Sequence, residues 1–222
     1  LGKPQLFTES PRSLSEGVMV YGFGRRVATW IQLAVAWQVR VPGMRRLFAE
    51  RKMEEPPVCG WTHWGHIEEE LRRRNSLSWL SWVHFRSQWG KERSSMLGLD
   101  ADGTPHVFVV VEPRDRGNLA ERLPATRSFR VTTCLDSFCH ESWSVRLYES
   151  LPRLHKPARW DASRIRQVSE EVTRVLEQLL EPVEGIPGHW RPMHGDFVPW
   201  NLREDSQGQL WLLDWEDVGW GP

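Results

Sequence analysis

Net charge is what this 222-residue sequence most plainly lacks. Its 29 lysines and arginines balance 29 aspartates and glutamates, so there is no basic field of the kind that neutralises a nucleic-acid backbone. Nucleic acid is therefore not an expected partner. Cysteine is scarce as well. Cys59, Cys134 and Cys139 are odd in number and show no Cys-x-x-Cys spacing, which argues against a disulfide framework and a structural zinc site and leaves a reducing cytoplasm as the expected setting. Long apolar runs are missing too. The most apolar stretch, VATWIQLAVAWQV from Val27 to Val39, is bracketed by Arg25, Arg26 and Arg40 and falls short of the ~20 residues that span a bilayer. It reads as a buried or amphipathic helix, and no membrane association is expected.

Several familiar motifs are also incomplete. Gly22-Phe23-Gly24 lies between a β-like run and a helix, but Val27 occupies the third glycine position of a dinucleotide fingerprint. Gly90-Lys91 is followed by Glu92, with Phe85 where the first glycine of a phosphate loop belongs. No Gly-x-Ser-x-Gly elbow exists, so a serine hydrolase has no support. Asp100-Ala101-Asp102-Gly103 resembles the start of a calcium loop, but Pro105 replaces the bend glycine and Val111 the bidentate glutamate. That stretch reads as a hairpin turn.

Tryptophan, by contrast, is abundant, with 14 copies. Most are expected to anchor the core through one polar handle. Trp190, Trp200, Trp211, Trp215 and Trp220 cluster late in the chain, which leaves open an aromatic wall for a ring-bearing ligand or a non-catalytic binding module.

The periodicity predicts three regions. Residues 1–75 read as helical pieces broken at Pro42-Gly43 and at MEEPPVCG, with HIEEELRRR from His66 to Arg74 as a solvated helix. Residues 76–150 read as an antiparallel meander built from SWVHF, SMLGL, HVFVVVE, FRVTTCL and WSVRLYE, with a short helix from Leu119 to about Arg127 weakened by Pro124. Residues 151–222 begin with a long helix after the N-cap Asp161, in which Ile165, Val168, Val172, Val175, Leu176, Leu179 and Leu180 mark one buried face until Pro182. The fold class expected from this order is α+β.

Near the end stand MHGDFVPWNL, residues 193–202, and LLDWED, residues 212–217. Phosphoryl transfer to a hydroxyl needs a carboxylate to receive or orient the proton and oxygen ligands for the magnesium ions that neutralise the polyphosphate. Asp196, Asn201 five residues on, and Asp214 at the end of an apolar strand supply those groups in the order Asp-x-x-x-x-Asn, then Asp. A two-metal phosphoesterase would normally draw on several histidines, and His194 is the only one in the constellation.

HGDFVPWNL with LLDWEDVGWGP resembles the aminoglycoside phosphotransferase and choline kinase-like family. The resemblance is specific at these two stretches and extends more loosely back to about Ser78. It implies a two-lobed protein kinase-like fold with an antiparallel small lobe at 76–150, the start of a helical large lobe at 151–222, and residues 1–75 as an N-terminal extension. It also implies ATP- and Mg2+-dependent phosphate transfer to a hydroxyl of a small molecule, within a class that includes aminoglycosides, choline, sugars and amino-alcohols. In the residues that match, Asp196 becomes the catalytic base and Asn201 and Asp214 the magnesium ligands. His194 and Gly195 shape the loop, and Glu216 helps to hold the metal loop or a basic group.

The sequence departs from that family at two places. Val110 stands where a small-lobe lysine would hold nucleotide phosphates, and Arg127 stands near the position of its partner glutamate, with Glu121 the only acid nearby. Lys91 and Arg93, in the turn RSQWGKER together with Arg86, are the expected substitutes for nucleotide binding. The chain given also stops at Pro222, before the helices that would complete the acceptor pocket, so a protein partner or an oligomer is expected if the large lobe ends there. A degenerate, inactive kinase-like protein with a binding or regulatory role is the alternative reading.

Overall fold

The alternation in PHVFVVVEP sends Val107, Val109 and Val111 to one side of a strand and Phe108, Val110 and Glu112 to the other. The computed structural model describes residues 5–7, 34, 37, 64–77, 81–86, 93–100, 104–114, 119–152 and 154–222. Apart from Ala34 and Trp37, the helix expected at Val27–Val39 lies outside the described residues, as do Lys91 and the Gly22–Gly24 stretch. The fold is α+β. It divides into two units, one of Leu1–Arg116 with Cys134–Arg153 and the other of Gly117–Thr133 with Leu154–Pro222.

In the first unit, strands β1 (Gln5–Phe7), β2 (Ser81–Arg86), β3 (Ser94–Leu99), β4 (Pro105–Pro113), β5 (Cys134–His140) and β6 (Trp143–Glu149) form an antiparallel sheet. The strand order is β1-β2-β3-β4-β6-β5. Helix α1 (Trp64–Asn75) covers one face, burying Ile67 and Leu71 against Trp82, Met96, Val107, Val109, Val111, Val145 and Leu147. Each such side chain removed from water contributes about 1.5–3 kcal/mol. The exposed side of α1 follows its charge pattern: Glu68 pairs with Arg72 and Glu70 with Arg73 one turn apart. Arg74 reaches across to Asp136 in β5 with two bonds of 2.8 Å, and that guanidinium pushes the Asp136 carboxyl down to about 2.

FRVTTCL does not form one strand. Phe129 is fully buried in the second unit, Arg130 makes an isolated parallel bridge to Trp211, and β5 begins only at Cys134. The short helix expected to run to Arg127 is a single 3-10 turn, Leu119–Arg122; Pro124 lacks the N–H that would continue it. Arg127 therefore occupies no helix. Its backbone N–H, with the N–H and hydroxyl of Ser128, donates to the buried carboxylate of Glu171. Burial raises the proton affinity of Glu171, but these bonds and Arg174 outweigh it and hold the carboxyl below its ordinary range. Residues of the expected 76–150 lobe thus group with the second unit.

Helix α2 (Ala162–Glu177) is capped as expected, the Asp161 carboxylate accepting from the Arg164 N–H at 3.0 Å. It ends before Leu179 and Leu180, whose N–H groups both turn back to the Leu176 carbonyl. Its buried face, Val168, Val172 and Leu176, packs on Phe129, Leu202, Leu210, Leu212 and Trp215. Strands β7 (His155–Pro157), β9 (Leu202–Asp205) and β10 (Leu210–Leu212) form a small sheet in the order β10-β9-β7. Strands β8 (Arg191–Met193) and β11 (Gly219–Gly221) pair separately. No helix among the described residues is long and apolar enough to cross a membrane.

The small sheet contains a pH-sensitive contact. Arg203 in β9, itself buried, donates its Nε–H to His155 Nδ1 at 3.0 Å. Only a neutral imidazole can accept there. Burial, and secondarily the Arg203 charge, push His155 down to about 4. An unfolded histidine titrates near 6.5, so below that pH the unfolded chain binds a proton that the folded chain refuses. The contribution is complete above about pH 6.5 and declines by roughly 2–3 kcal/mol as the pH falls toward about 4. His155→Gln keeps an acceptor without titrating. Urea unfolding at about pH 7 and about pH 4.5 should show the wild type losing more stability than this variant by that margin.

Candidate active site

The loop between β8 and β9 is shaped by a close approach to backbone at Gly195 that only glycine permits and by a tight side-chain contact at Gly221. Gly195 has a φ of 81°, and a Cβ there would sit 1.8 Å from the Asp217 carbonyl oxygen. Gly221 in β11 lies opposite Arg191, and a Cβ on it would come within 2.0 Å of the Met193 sulfur. Pairing of β8 with β11 therefore clamps the start of the loop to the 3-10 turn Trp215–Asp217 and the strand that follows it.

His194 fills the space beneath. It is 1% exposed, lies edge-on to Trp215 at 4.6 Å between ring centroids, and tilts toward Phe197. Neither ring nitrogen reaches a partner in good hydrogen-bond geometry, although the backbone of Leu213 and Asp196 and the carboxylates of Asp214 and Asp196 lie close enough to favour a proton. Burial is the larger effect and holds the imidazole below its ordinary proton affinity. His194 is thus a packed, neutral brace with two carboxylates beside it. Trp215 completes the support, donating Nε1–H to the Leu212 carbonyl at 3.0 Å and stacking on Phe129.

Asp196 and Asn201 are in direct contact. The Asn201 amide donates Nδ2–H to the Asp196 backbone oxygen at 3.0 Å and to its carboxylate Oδ2 at 2.9 Å. Asn201 is itself fixed by backbone bonds, its N–H to the Val198 carbonyl and its carbonyl from the Leu213 N–H at 2.9 Å. That last bond extends the Leu202–Leu212 register of β9 and β10 by one rung. It places Asp214 beside Asn201 at the end of the hairpin. Asp214 has φ 64° and ψ 65°, a left-handed conformation that aspartate tolerates better than most residues and that costs on the order of 1–3 kcal/mol.

The structure thus brings together His194, Gly195, Asp196, Asn201 and Asp214, all within the second unit. Glu216 is exposed on the adjoining 3-10 turn, Arg93 immediately precedes β3 in the first unit, and Lys91 is outside the described residues. Sequence reasoning missed the Asp217 carbonyl as the surface against which Gly195 closes, and Gly221 as its counterpart at Met193. The only signal for them was the spacing of GWG after DWED. As a metal site, the donors are one amide and one carboxylate, and no group of three or more His, Cys, Asp or Glu able to hold a metal occurs among the described residues. With Nδ2 committed to Asp196, the amide oxygen of Asn201 is left to act as a ligand. One such oxygen and the Asp214 carboxylate suit Mg2+, which keeps several waters and takes further oxygens from substrate phosphates.

A sequence model described as the phosphotransferase enzyme family matches residues 109–222 of this chain. No curated protein matches. Among solved structures, a choline kinase, LicA from Streptococcus pneumoniae, aligns over 70% of this chain and 70% of its own, with 14% identity and a TM-score of 0.35.

Proposed function

Because this chain belongs to the phosphotransferase enzyme family, we propose that it transfers a phosphoryl group from ATP to a hydroxyl of a small molecule, in a Mg2+-dependent reaction. The sheet unit is then the small lobe of a kinase-like fold, and the second unit is the part of the large lobe that carries the catalytic loop. The observation that carries this reading is the Asp196–Asn201 contact at the same hairpin end as Asp214. Bound Mg2+ would supply charge neutralisation for the transferring phosphate. Asp196 would orient the acceptor hydroxyl and take its proton, and Asn201 and Asp214 would hold the metal. Asn201 also keeps the Asp196 carboxylate aimed by its amide bond. His194, Gly195 and Glu216 shape the loop without touching the reacting atoms.

Titration calorimetry with ATP, with and without Mg2+, tests the reading, and no binding at millimolar nucleotide would sink it. Asp214→Asn removes a charge but keeps a residue that accepts the left-handed conformation. It is expected to erase the roughly 10-fold or greater gain in ATP affinity that Mg2+ confers, with the thermal midpoint little changed.

One observation favours a second reading. Val110, at the position the family resemblance assigns to a phosphate-binding lysine, is only 4% exposed and cannot neutralise a phosphate. The second reading is a degenerate member that binds a ligand without turnover. ADP release in the presence of hydroxyl acceptors separates the two.

A further inference from the structure

The small sheet of the second unit carries a buried cation with no counter-charge. Arg203 in β9 is 7% exposed, and its guanidinium forms no ion pair among the described residues. Its hydrogen-bonded partner is His155, which takes the Nε–H on a neutral imidazole and supplies no charge. Burial, with nothing to offset it, lowers the proton affinity of the guanidinium, yet an arginine in a protein stays protonated. The other buried arginine among the described residues, Arg146, is matched by Glu112.

Strand register fixes the surroundings of this charge. Arg203 stands directly across from Trp211 in β10 and from Pro157 in β7, and Arg130 bridges to Trp211 from the far edge of β10. Residues opposite one another in a sheet share a face. The row Arg130, Trp211, Arg203, Pro157 therefore lies on the side turned away from α2, which packs on Leu202, Leu210 and Leu212. The carboxylates of β9 are engaged elsewhere. Glu204 belongs to the α2 face, where it meets Arg164 at 3.3 Å. Asp205 shares the face of Arg203, but its carboxylate accepts the Trp211 Nε1–H at 3.0 Å and the N–H groups of Gln207 and Gln209 in the hairpin turn. Arg130 adds a second cation to the row, its guanidinium 5.8 Å above the Trp211 ring.

A hydrogen bond to His155 does not require a charge. Glutamine would place an N–H at the same distance along its side chain without the desolvation cost of an ion. What only arginine supplies is the remaining end of the fork, Nη1 and Nη2, which match two oxygens of a phosphate or carboxylate at once. Neither atom meets a protein acceptor, and neither is sealed from solvent, so a small anion can reach them from the water. A neutral ligand with two acceptors would satisfy the donors but leave the charge uncompensated. An oxyanion meets both needs.

We propose that Arg203, held through Nε by His155, binds the oxyanion group of a small ligand, a phosphate or a carboxylate, on the face of the small sheet opposite α2. Arg130 adds positive potential from across Trp211. The site goes beyond the phosphotransferase reading, since it needs neither Mg2+ nor turnover, and all of its residues belong to the second unit.

The test uses the intact chain with EDTA present, so that no metal ion holds phosphate, and titrates inorganic phosphate and acetate at constant ionic strength by calorimetry. The wild type is expected to bind at least one of them in the millimolar range. Arg203→Gln puts Nε2–H where the arginine Nε–H was, which keeps the His155 bond while removing the charge and the fork. Its affinity for the bound anion should fall about 10-fold or more, the loss expected of a charge-assisted bidentate contact. Tighter binding of phosphate assigns the site to phosphorylated ligands, and tighter binding of acetate to carboxylates. Binding of neither by the wild type, or an affinity of the glutamine variant within about 2-fold of the wild type, would overturn the proposal. If the glutamine variant does not fold, Arg203→Lys decides the matter. It keeps the charge but loses the fork, so a several-fold loss supports the proposal and an unchanged affinity overturns it. Failure of the phosphotransferase reading is seen separately, as absence of ATP binding with Mg2+ present, and leaves this site standing.

Discussion

Asp196→Asn is expected to lower turnover about 1000-fold while leaving ATP affinity within roughly 3-fold of the wild type, since a positioned general base typically contributes 10²- to 10⁴-fold. The change is nearly isosteric. Asn201 Nδ2 keeps its bond to the residue-196 backbone oxygen and finds an amide oxygen where the carboxylate was, so the loop has no reason to move. His194 loses one of the two neighbouring carboxylates that favour its proton, which leaves it neutral and packed as before. What disappears is the ability to accept the hydroxyl proton. Steady-state ADP release against a panel of hydroxyl acceptors measures the first quantity and calorimetry the second. Turnover within 10-fold of the wild type would show that the acceptor proton leaves by another route and that Asp196 only orients. A fall in ATP affinity equal to the fall in turnover would place Asp196 on the metal instead.

The residues read from sequence and those found only in the structure differ in how far their partners lie along the chain. Asp196 and Asn201 are five residues apart and touch, so their contact follows from local spacing. The α2 helix was equally legible, because its buried face is a property of one segment. Phe129 and Arg130 were misread as strand residues. Their β-branched and aromatic neighbours suit a strand, but the bridge from Arg130 to Trp211 and the bonds that Glu171 accepts from the preceding Arg127 and Ser128 set their places. Arg146 was invisible for a similar reason. In WSVRLYE it looks like the polar side of an alternating strand, and only the β4–β6 register shows that it lies across from Val110 and pairs with Glu112, 34 residues earlier. Registers of this kind depend on which strands become neighbours, and a single sequence carries little of that information.

Gly195→Ala is the substitution expected to do most harm to the folded state. Two costs add. A left-handed backbone disfavours any residue with a Cβ by about 1–2 kcal/mol, and here the new methyl would lie 1.8 Å from the Asp217 carbonyl oxygen and 2.5 Å from its carbon. The obstacle is backbone, which cannot rotate away as a flexible side chain would. The turn that carries it is anchored on one side by buried Trp215 and on the other by the pairing of Gly219–Gly221 with β8. Relief therefore requires the loop to lift off the turn, which separates Asp196 from Asp214. Gly208 provides the control, since its φ of 78° is nearly the same but a Cβ there meets only the Glu204 carboxylate oxygen, at 4.0 Å. Gly208→Ala should cost about 1 kcal/mol, the conformational part alone. Gly195→Ala should cost about 3 kcal/mol or more, a drop of roughly 6–12 °C in thermal midpoint for a chain of this size. Urea and thermal unfolding of the two variants side by side isolate the clash. Equal losses would mean that the Asp217 turn yields, and that the loop is held against it less firmly than its spacing implies.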